Sequence, residues 1–163
     1  MITQTTLDAL AAEVGELADI RGWRIATAES CTGGWIAQAL TAIPGSSAWV
    51  VGGFVTYANE AKSKWLGVQS TTLEHHGAVS VQVAEQMVAG LIKKVGCEVG
   101  VSVTGVAGPG GGSDEKPVGT VCFGFAVRGR QIDTCREFFV GDRREVRACA
   151  VQFALEGLLT RLK

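Results

Sequence analysis

Histidine and tyrosine are nearly absent from this chain of 163 residues: His75 and His76 stand side by side in a polar stretch, and Tyr57 is the single tyrosine. A Ser-His-acid arrangement therefore has little to draw on. Cysteine is present but unpatterned. Five cysteines, an odd number with no Cys-x-x-Cys spacing, form neither a disulfide framework nor a zinc site, and they point to a reducing compartment, the cytoplasm. Charged residues make up 19% with a net charge of −1, so the chain has no basic stripe and nucleic acid is not expected as a partner. No apolar run approaches the roughly 20 residues that span a bilayer, and Met1 to Leu10 lacks a basic segment followed by an apolar core. The expectation is a soluble, unexported protein with no membrane partner. No cluster of metal-ligand residues is offered, so neither a metal nor a cofactor is expected.

Several familiar motifs are missing too. The string around Ser30 is Ala28-Glu29-Ser30-Cys31-Thr32, which is not a Gly-x-Ser-x-Gly elbow, and Gly33 stands where Ser-x-x-Lys would need its lysine. The glycine loop at 105–112 lacks Gly-Lys-Ser/Thr and does not follow Gly-x-Gly-x-x-Gly.

What the chain does have is glycine, 22 residues, nearly twice the usual share of about 7%. Many of them cluster at three places, and the first organises the rest. Arg24 to Glu29 favours a strand, Ser30 to Gly34 a tight turn, and Trp35, Ile36, Ala39, Leu40 and Ile43 recur at helical spacing. A strand that empties into a helix amino terminus presents unpaired backbone N–H groups, where an anion or a developing oxyanion can sit. The second cluster, Gly52-Gly53, lies in an apolar run from Trp49 to Tyr57 and marks a bulge or a close backbone approach. The third, 105–112, directly follows the run Glu98 to Thr104.

Read in order, Leu7, Leu10, Ala11, Val14, Leu17, Ala18 and Ile20 form the apolar side of a first helix that stops at Arg21-Gly22. A short helix capped by Asn59 ends at Gly67, a helical turn covers Thr71 to Gly77, and Ser80 caps a helix running to Val95. Val118–Val127 and Ile132–Val140 read as a β-hairpin, and a last helix starts after Gly141-Asp142. Interleaved helices and strands closed by a hairpin predict an α/β fold: one layered α/β/α domain over residues 1–163, with a mixed sheet that includes the C-terminal hairpin.

Each candidate for chemistry has an ordinary alternative. Ser30 is a nucleophile or a helix cap; Lys62, in the first turn of its helix where the dipole opposes a cation, is a base of lowered pKa or a solvated lysine. Tyr57 is a partner of that pair or a strand-end aromatic in water. Cys31 is a thiol activated by a helix amino terminus or a small buried hydrophobe. The glycine loop is a surface loop or a ligand cradle at the end of a strand. Arg143 and Arg147 hold phosphate or pair with Asp142 and Glu145, the surface pairing being favoured. Trp49, Phe138 and Phe139 are candidates for a shared face in a homo-oligomer.

Five blocks of sequence carry a resemblance. Thr27-Ala28-Glu29-Ser30-Cys31-Thr32-Gly33-Gly34, Gly53-Phe54-Val55-Thr56-Tyr57-Ala58-Asn59-Glu60-Ala61-Lys62, His76-Gly77-Ala78-Val79-Ser80, Thr104-Gly105-Val106-Ala107-Gly108-Pro109 and Lys116-Pro117-Val118-Gly119-Thr120-Val121 resemble, in order, the CinA carboxy-terminal domain family. The resemblance spans nearly the whole chain. It implies the activity of stand-alone family members, hydrolysis of nicotinamide mononucleotide to nicotinic acid mononucleotide and ammonia, without a cofactor. It also implies Ser30 as nucleophile with Lys62 and Tyr57 as partners. Cys31, Thr32, Gly33, Gly34, Thr104, Gly105, Gly108 and Arg143 would then surround the substrate. Two other readings stay open at this level: a pyridine-nucleotide sensor without turnover, and an accessory protein in competence or DNA damage.

Overall fold

The computed structural model describes all residues, Met1–Lys163. Five strands form one sheet in the order β2-β1-β3-β4-β5. Strands β1 (Ile25–Glu29), β2 (Val50–Val55) and β3 (Val99–Gly105) are parallel, while β4 (Thr120–Val127) and β5 (Asp133–Phe138) form the antiparallel hairpin that makes the sheet mixed. Helices cover both faces. On one side α1 (Gln4–Arg21), α2 (Trp35–Thr41) and α6 (Arg143–Leu162) enclose the larger core, in which Leu7, Val14, Ile36 and Leu40 meet Val101, Phe123 and Leu158. On the other, α5 (Val81–Val95) lies on the sheet with α3 (Asn59–Leu66) and α4 (Ser70–His76) beside it, joining Leu66, Val83, Met87 and Leu91 to Ala26 and Ala28. Every residue of β1 and β4 is buried, as strands covered on both faces must be.

Local chemistry sets most boundaries. Gly22, Gly67 and Gly96 end their helices in the left-handed conformation, the Ser80 hydroxyl accepts from the Val83 N–H, and Asp142 with Glu145 forms a capping box at the start of α6. Both readings of Gly52-Gly53 hold. The β1–β2 register runs from Ile25↔Val50 to Ala26↔Gly52, so Val51 is the extra residue of a bulge, and a Cβ on Gly53 would overlap Thr27 Oγ1.

Four expectations are corrected. The N-cap of α3 is Ala58, with no side-chain bond, and Asn59 is its first helical residue. Ile20 is 73% exposed, because it lies a third of a turn or more round α1 from the buried stripe of Leu7, Ala11, Val14 and Ala18. The hairpin strands begin later than expected and β5 ends at Phe138. Trp49 is only 5% exposed: it lies under α1, where a Cβ on Gly15 would strike its ring, and so offers no shared face. Phe139 is half-buried against Phe123 and Phe153, which leaves Phe138 as the exposed member of that trio.

Candidate active site

The site lies at the carboxyl ends of the parallel strands, where open α/β sheets bind ligands. Ser30 follows β1 directly and its N–H donates to the Val103 carbonyl, so the nucleophile candidate is tied to the centre of the sheet. Its own carbonyl accepts from the Gly33 N–H at 3.0 Å, closing a tight turn. Gly33 and Gly34 carry φ of 62° and 95°, values that side chains rarely adopt, which is why the turn needs the glycine pair.

The amino terminus of α2 is not the open anion site expected. Glu29, fully buried at the end of β1, fills it: Oε1 accepts from the Ile36 N–H at 2.9 Å and the Thr32 hydroxyl at 2.6 Å, and Oε2 accepts from the Ala37 N–H at 3.0 Å. The carboxylate replaces the ligand that the bare sequence pattern would place there. It also anchors the turn from beneath. Within the turn the N–H groups of Cys31, Thr32 and Gly34 have no protein acceptor, and Thr32 is fully buried.

Lys62 reaches Ser30 from α3. Its Nζ lies 2.9 Å from Ser30 Oγ, and donates to the carbonyls of Thr56 at 2.8 Å and Tyr57 at 3.2 Å. The residue is 1% exposed and forms no ion pair, so the solvated reading fails. Burial pushes the ammonium pKa below its usual value. That is the condition for a lysine to serve as a base: a neutral amine keeps two N–H bonds, here to the two carbonyls, and turns its lone pair to the serine hydroxyl.

Cys31 moves the opposite way. Burial, the dominant cause, together with the neighbouring Glu29 charge pushes the thiol up to about 12, which favours the small buried hydrophobe over the helix-activated thiolate. Tyr57 contributes to Lys62 through its main chain; its phenol is exposed and accepts from Arg143 Nη2 at 2.8 Å. Arg143 donates its other Nη to the Gly108 carbonyl at 2.8 Å, and Arg147 donates to the carbonyls of Cys31 and Thr32, both at 3.0 Å. Neither arginine pairs with Asp142 or Glu145, whose side chains are spent on the α6 cap.

Ser30, Cys31, Tyr57, Lys62, Thr104, Gly105 and Arg143 line one cleft of about 230 Å³. Thr32, Gly33, Gly34 and Gly108 stand behind it: the Thr32 hydroxyl is turned to Glu29, Gly33 and Gly34 shape the turn, and Gly108 gives its carbonyl to Arg143. Thr104 donates its hydroxyl to the Ala78 carbonyl and thereby fixes the wall formed by Ala78 and Val79. Sequence reasoning did not place Glu29, Asn59 or that wall in the site, and it weighed Arg147 as a phosphate ligand or a surface pair, not as the holder of the turn. A lone acid in an otherwise apolar strand was the available signal for Glu29. His75 and His76 are exposed on α4. A larger groove of about 590 Å³ runs between the amino ends of α1 and α6, past Leu7, Trp35 and Cys149, but the carboxylates that line it, Asp142 and Glu145, are committed to the α6 cap.

With a serine and an unpaired buried lysine in contact at the carboxyl edge of a parallel sheet, the site has the parts of a serine–lysine acyl-transfer centre. The family model of the CinA C-terminal domain matches residues 7–162, and the chain belongs to that family. It is 50% identical over 158 residues to the nicotinamide-nucleotide amidohydrolase PncC of Enterobacter agglomerans, covering 97% of this chain and 96% of that one. It is also 50% identical over 157 residues to the PncC of Escherichia coli K12, covering 96% and 95%. The crystal structure of a CinA superfamily protein from Klebsiella pneumoniae superposes with a TM-score of 0.92 at 42% identity, over 96% of this chain and 97% of the other.

Proposed function

We propose that this chain is an amidohydrolase that converts nicotinamide mononucleotide to nicotinic acid mononucleotide and ammonia, in salvage of pyridine nucleotides, through a serine acyl-enzyme. The substrate follows from half-identity over nearly the full length of both chains to proteins named for that activity. The mechanism rests on one observation above the others: Lys62 Nζ, buried without a counter-ion, has carbonyls for two N–H bonds and Ser30 Oγ at 2.9 Å on its remaining side.

In this reading neutral Lys62 accepts the Ser30 hydroxyl proton as Oγ attacks the carboxamide carbon. The N–H group of Cys31, a residue of the cleft lining, receives the oxyanion of the tetrahedral intermediate. The Lys62 ammonium returns the proton to the amide nitrogen, the C–N bond breaks and ammonia leaves. Water then attacks the acyl carbon, gives its proton to Lys62, and the carboxylate departs as Ser30 regains a hydrogen. The pyridinium ring draws electrons from the carbonyl throughout. Tyr57 holds Lys62 through its carbonyl, and Tyr57, Arg143, Thr104 and Gly105 bound the space for the rest of the nucleotide. No helix is long and apolar enough to cross a membrane.

The test is ammonia release from nicotinamide mononucleotide by folded wild type, Ser30→Ala, Lys62→Ala and Cys31→Ala. Turnover lost in the first two variants and kept in the third, with an acyl adduct on Ser30 trapped by rapid acid quench and mass spectrometry, is the expected result. Loss in Cys31→Ala alone moves the nucleophile by one residue. Wild-type binding without ammonia release leaves a nucleotide-binding module.

A further inference from the structure

The turn that carries Ser30 is gripped from the far end of the chain, and the grip falls on particular atoms. Arg147 of α6 donates from Nε to the Cys31 carbonyl and from Nη2 to the Thr32 carbonyl, both at 3.0 Å, and its guanidinium lies 5.7 Å over the Trp35 ring. It has no carboxylate partner. A part-buried arginine that neutralises nothing and spends its fork on two consecutive peptide oxygens is controlling peptide orientation. In a trans peptide the N–H points opposite to the C=O of the same plane. Holding the Cys31 oxygen therefore fixes the direction of the Thr32 N–H, as the bond from Gly33 N–H to the Ser30 oxygen fixes that of the Cys31 N–H. Of the turn amides with no acceptor, those of Cys31, Thr32 and Gly34, only the first belongs to a residue that lines the cleft.

We infer that Arg147 is a positioning residue, one that fixes the two peptides directly after Ser30, and with them the placement of the Ser30 hydroxyl and the Cys31 N–H in the cleft, without touching substrate. This inference rests on the reading of Ser30 as the nucleophile. Two alternatives are available to the same side chain: a mere tether between α6 and the turn, or a phosphate ligand. They differ in what they would change. A tether affects stability, a phosphate ligand affects KM, and a positioned turn affects the chemical step.

Two variants separate these roles. Arg147→Lys keeps the charge and the aliphatic stem but puts a single ammonium nitrogen in place of the planar two-nitrogen fork, so it does not reproduce the paired Nε and Nη2 bonds, and Arg147→Ala removes both and leaves space for a small guanidinium compound. The measurements are kcat and KM for ammonia release from nicotinamide mononucleotide, thermal melts, and kcat of Arg147→Ala with added ethylguanidinium or ethylammonium. Ser30→Ala is assayed beside them. The expected result is a fall in kcat of roughly 10²-fold in both variants, the size of losing one oxyanion donor, with KM little changed. Ethylguanidinium restores part of the Arg147→Ala rate and ethylammonium does not. Full activity in Arg147→Lys, a rise in KM at constant kcat, or a loss that tracks the melting temperature and resists guanidinium overturns the role of Arg147 while an inactive Ser30→Ala leaves the nucleophile standing. Turnover by Ser30→Ala overturns both.

Discussion

Glu29→Gln is a nearly isosteric change at the point where the turn that carries Ser30 meets α2, and its cost follows from counting donors. The carboxylate accepts from Ile36 N–H and Thr32 Oγ1 on one oxygen, and from Ala37 N–H and, at 3.4 Å, Thr27 Oγ1 on the other. An amide has one acceptor oxygen. Placed where Oε1 was, it keeps Ile36 and Thr32 but sets an NH₂ group against the Ala37 N–H. A buried donor left without an acceptor costs about 1–3 kcal/mol. Removing the negative charge from the amino end of α2 adds about 0.3–2 kcal/mol. The sum centres near 3 kcal/mol, which for a domain of this size corresponds to a melting temperature lowered by roughly 6–12 °C. Glu29→Ala leaves both amides unpaired beside a cavity and costs more. The assay is urea unfolding of wild type and both variants, with a shifted midpoint at unchanged slope as the expected signature. Ammonia release should fall in parallel, since the same carboxylate holds the turn that carries Ser30. A loss below about 1 kcal/mol for Glu29→Gln would refute the reasoning, because it would mean that the buried carboxylate is not what satisfies the helix end.

Lys62→Met should abolish turnover, a general base commonly contributing about 10²–10⁴-fold, and should also flatten the stability profile in alkali. The sign follows from burial: the folded-state pKa of Lys62 is lowered, so the unfolded chain binds more protons, and wild-type stability rises with pH from the folded pKa up to the unfolded value of about 10.4. Below that window the penalty is full, and above it the penalty is gone. Chemical denaturation of the two proteins from pH 7 to 10.5 measures the difference, and identical slopes would count against a buried, unpaired amine. Cys31, with its thiol pushed up to about 12, should escape iodoacetamide at pH 8 in the native protein and react after unfolding, as read by peptide mass spectrometry. Rapid native labelling of Cys31 would restore it as a rival nucleophile.

The signals that act within four residues were legible. Glycine after an apolar stripe ended α1, α3 and α5 where expected, Ser80 capped α5, and the small-residue turn after β1 fell where the sheet opens. The resemblance to the family named Ser30, Lys62 and Tyr57 as a set, but not how they would meet. It did not say that the Tyr57 phenol would turn to Arg143, or that its carbonyl would be the group in contact with Lys62.

Backbone propensity and periodicity thus determined the order of elements, their caps and the layered α/β class, because these depend on each residue's own torsional preferences and nearest neighbours. Solvation and long-range pairing were decided by the tertiary structure. Lys62 is separated from Ser30 by 32 residues and Arg147 from Cys31 by 116. Whether a lysine is charged in water or neutral in a wall, whether a thiol is reactive, and whether a helix end is open or already filled by Glu29 depend on which groups packing brings alongside. No local pattern encodes that, because the free energy of an ionisable group depends on its surroundings, and those exist only once the sheet has formed and both its faces are covered.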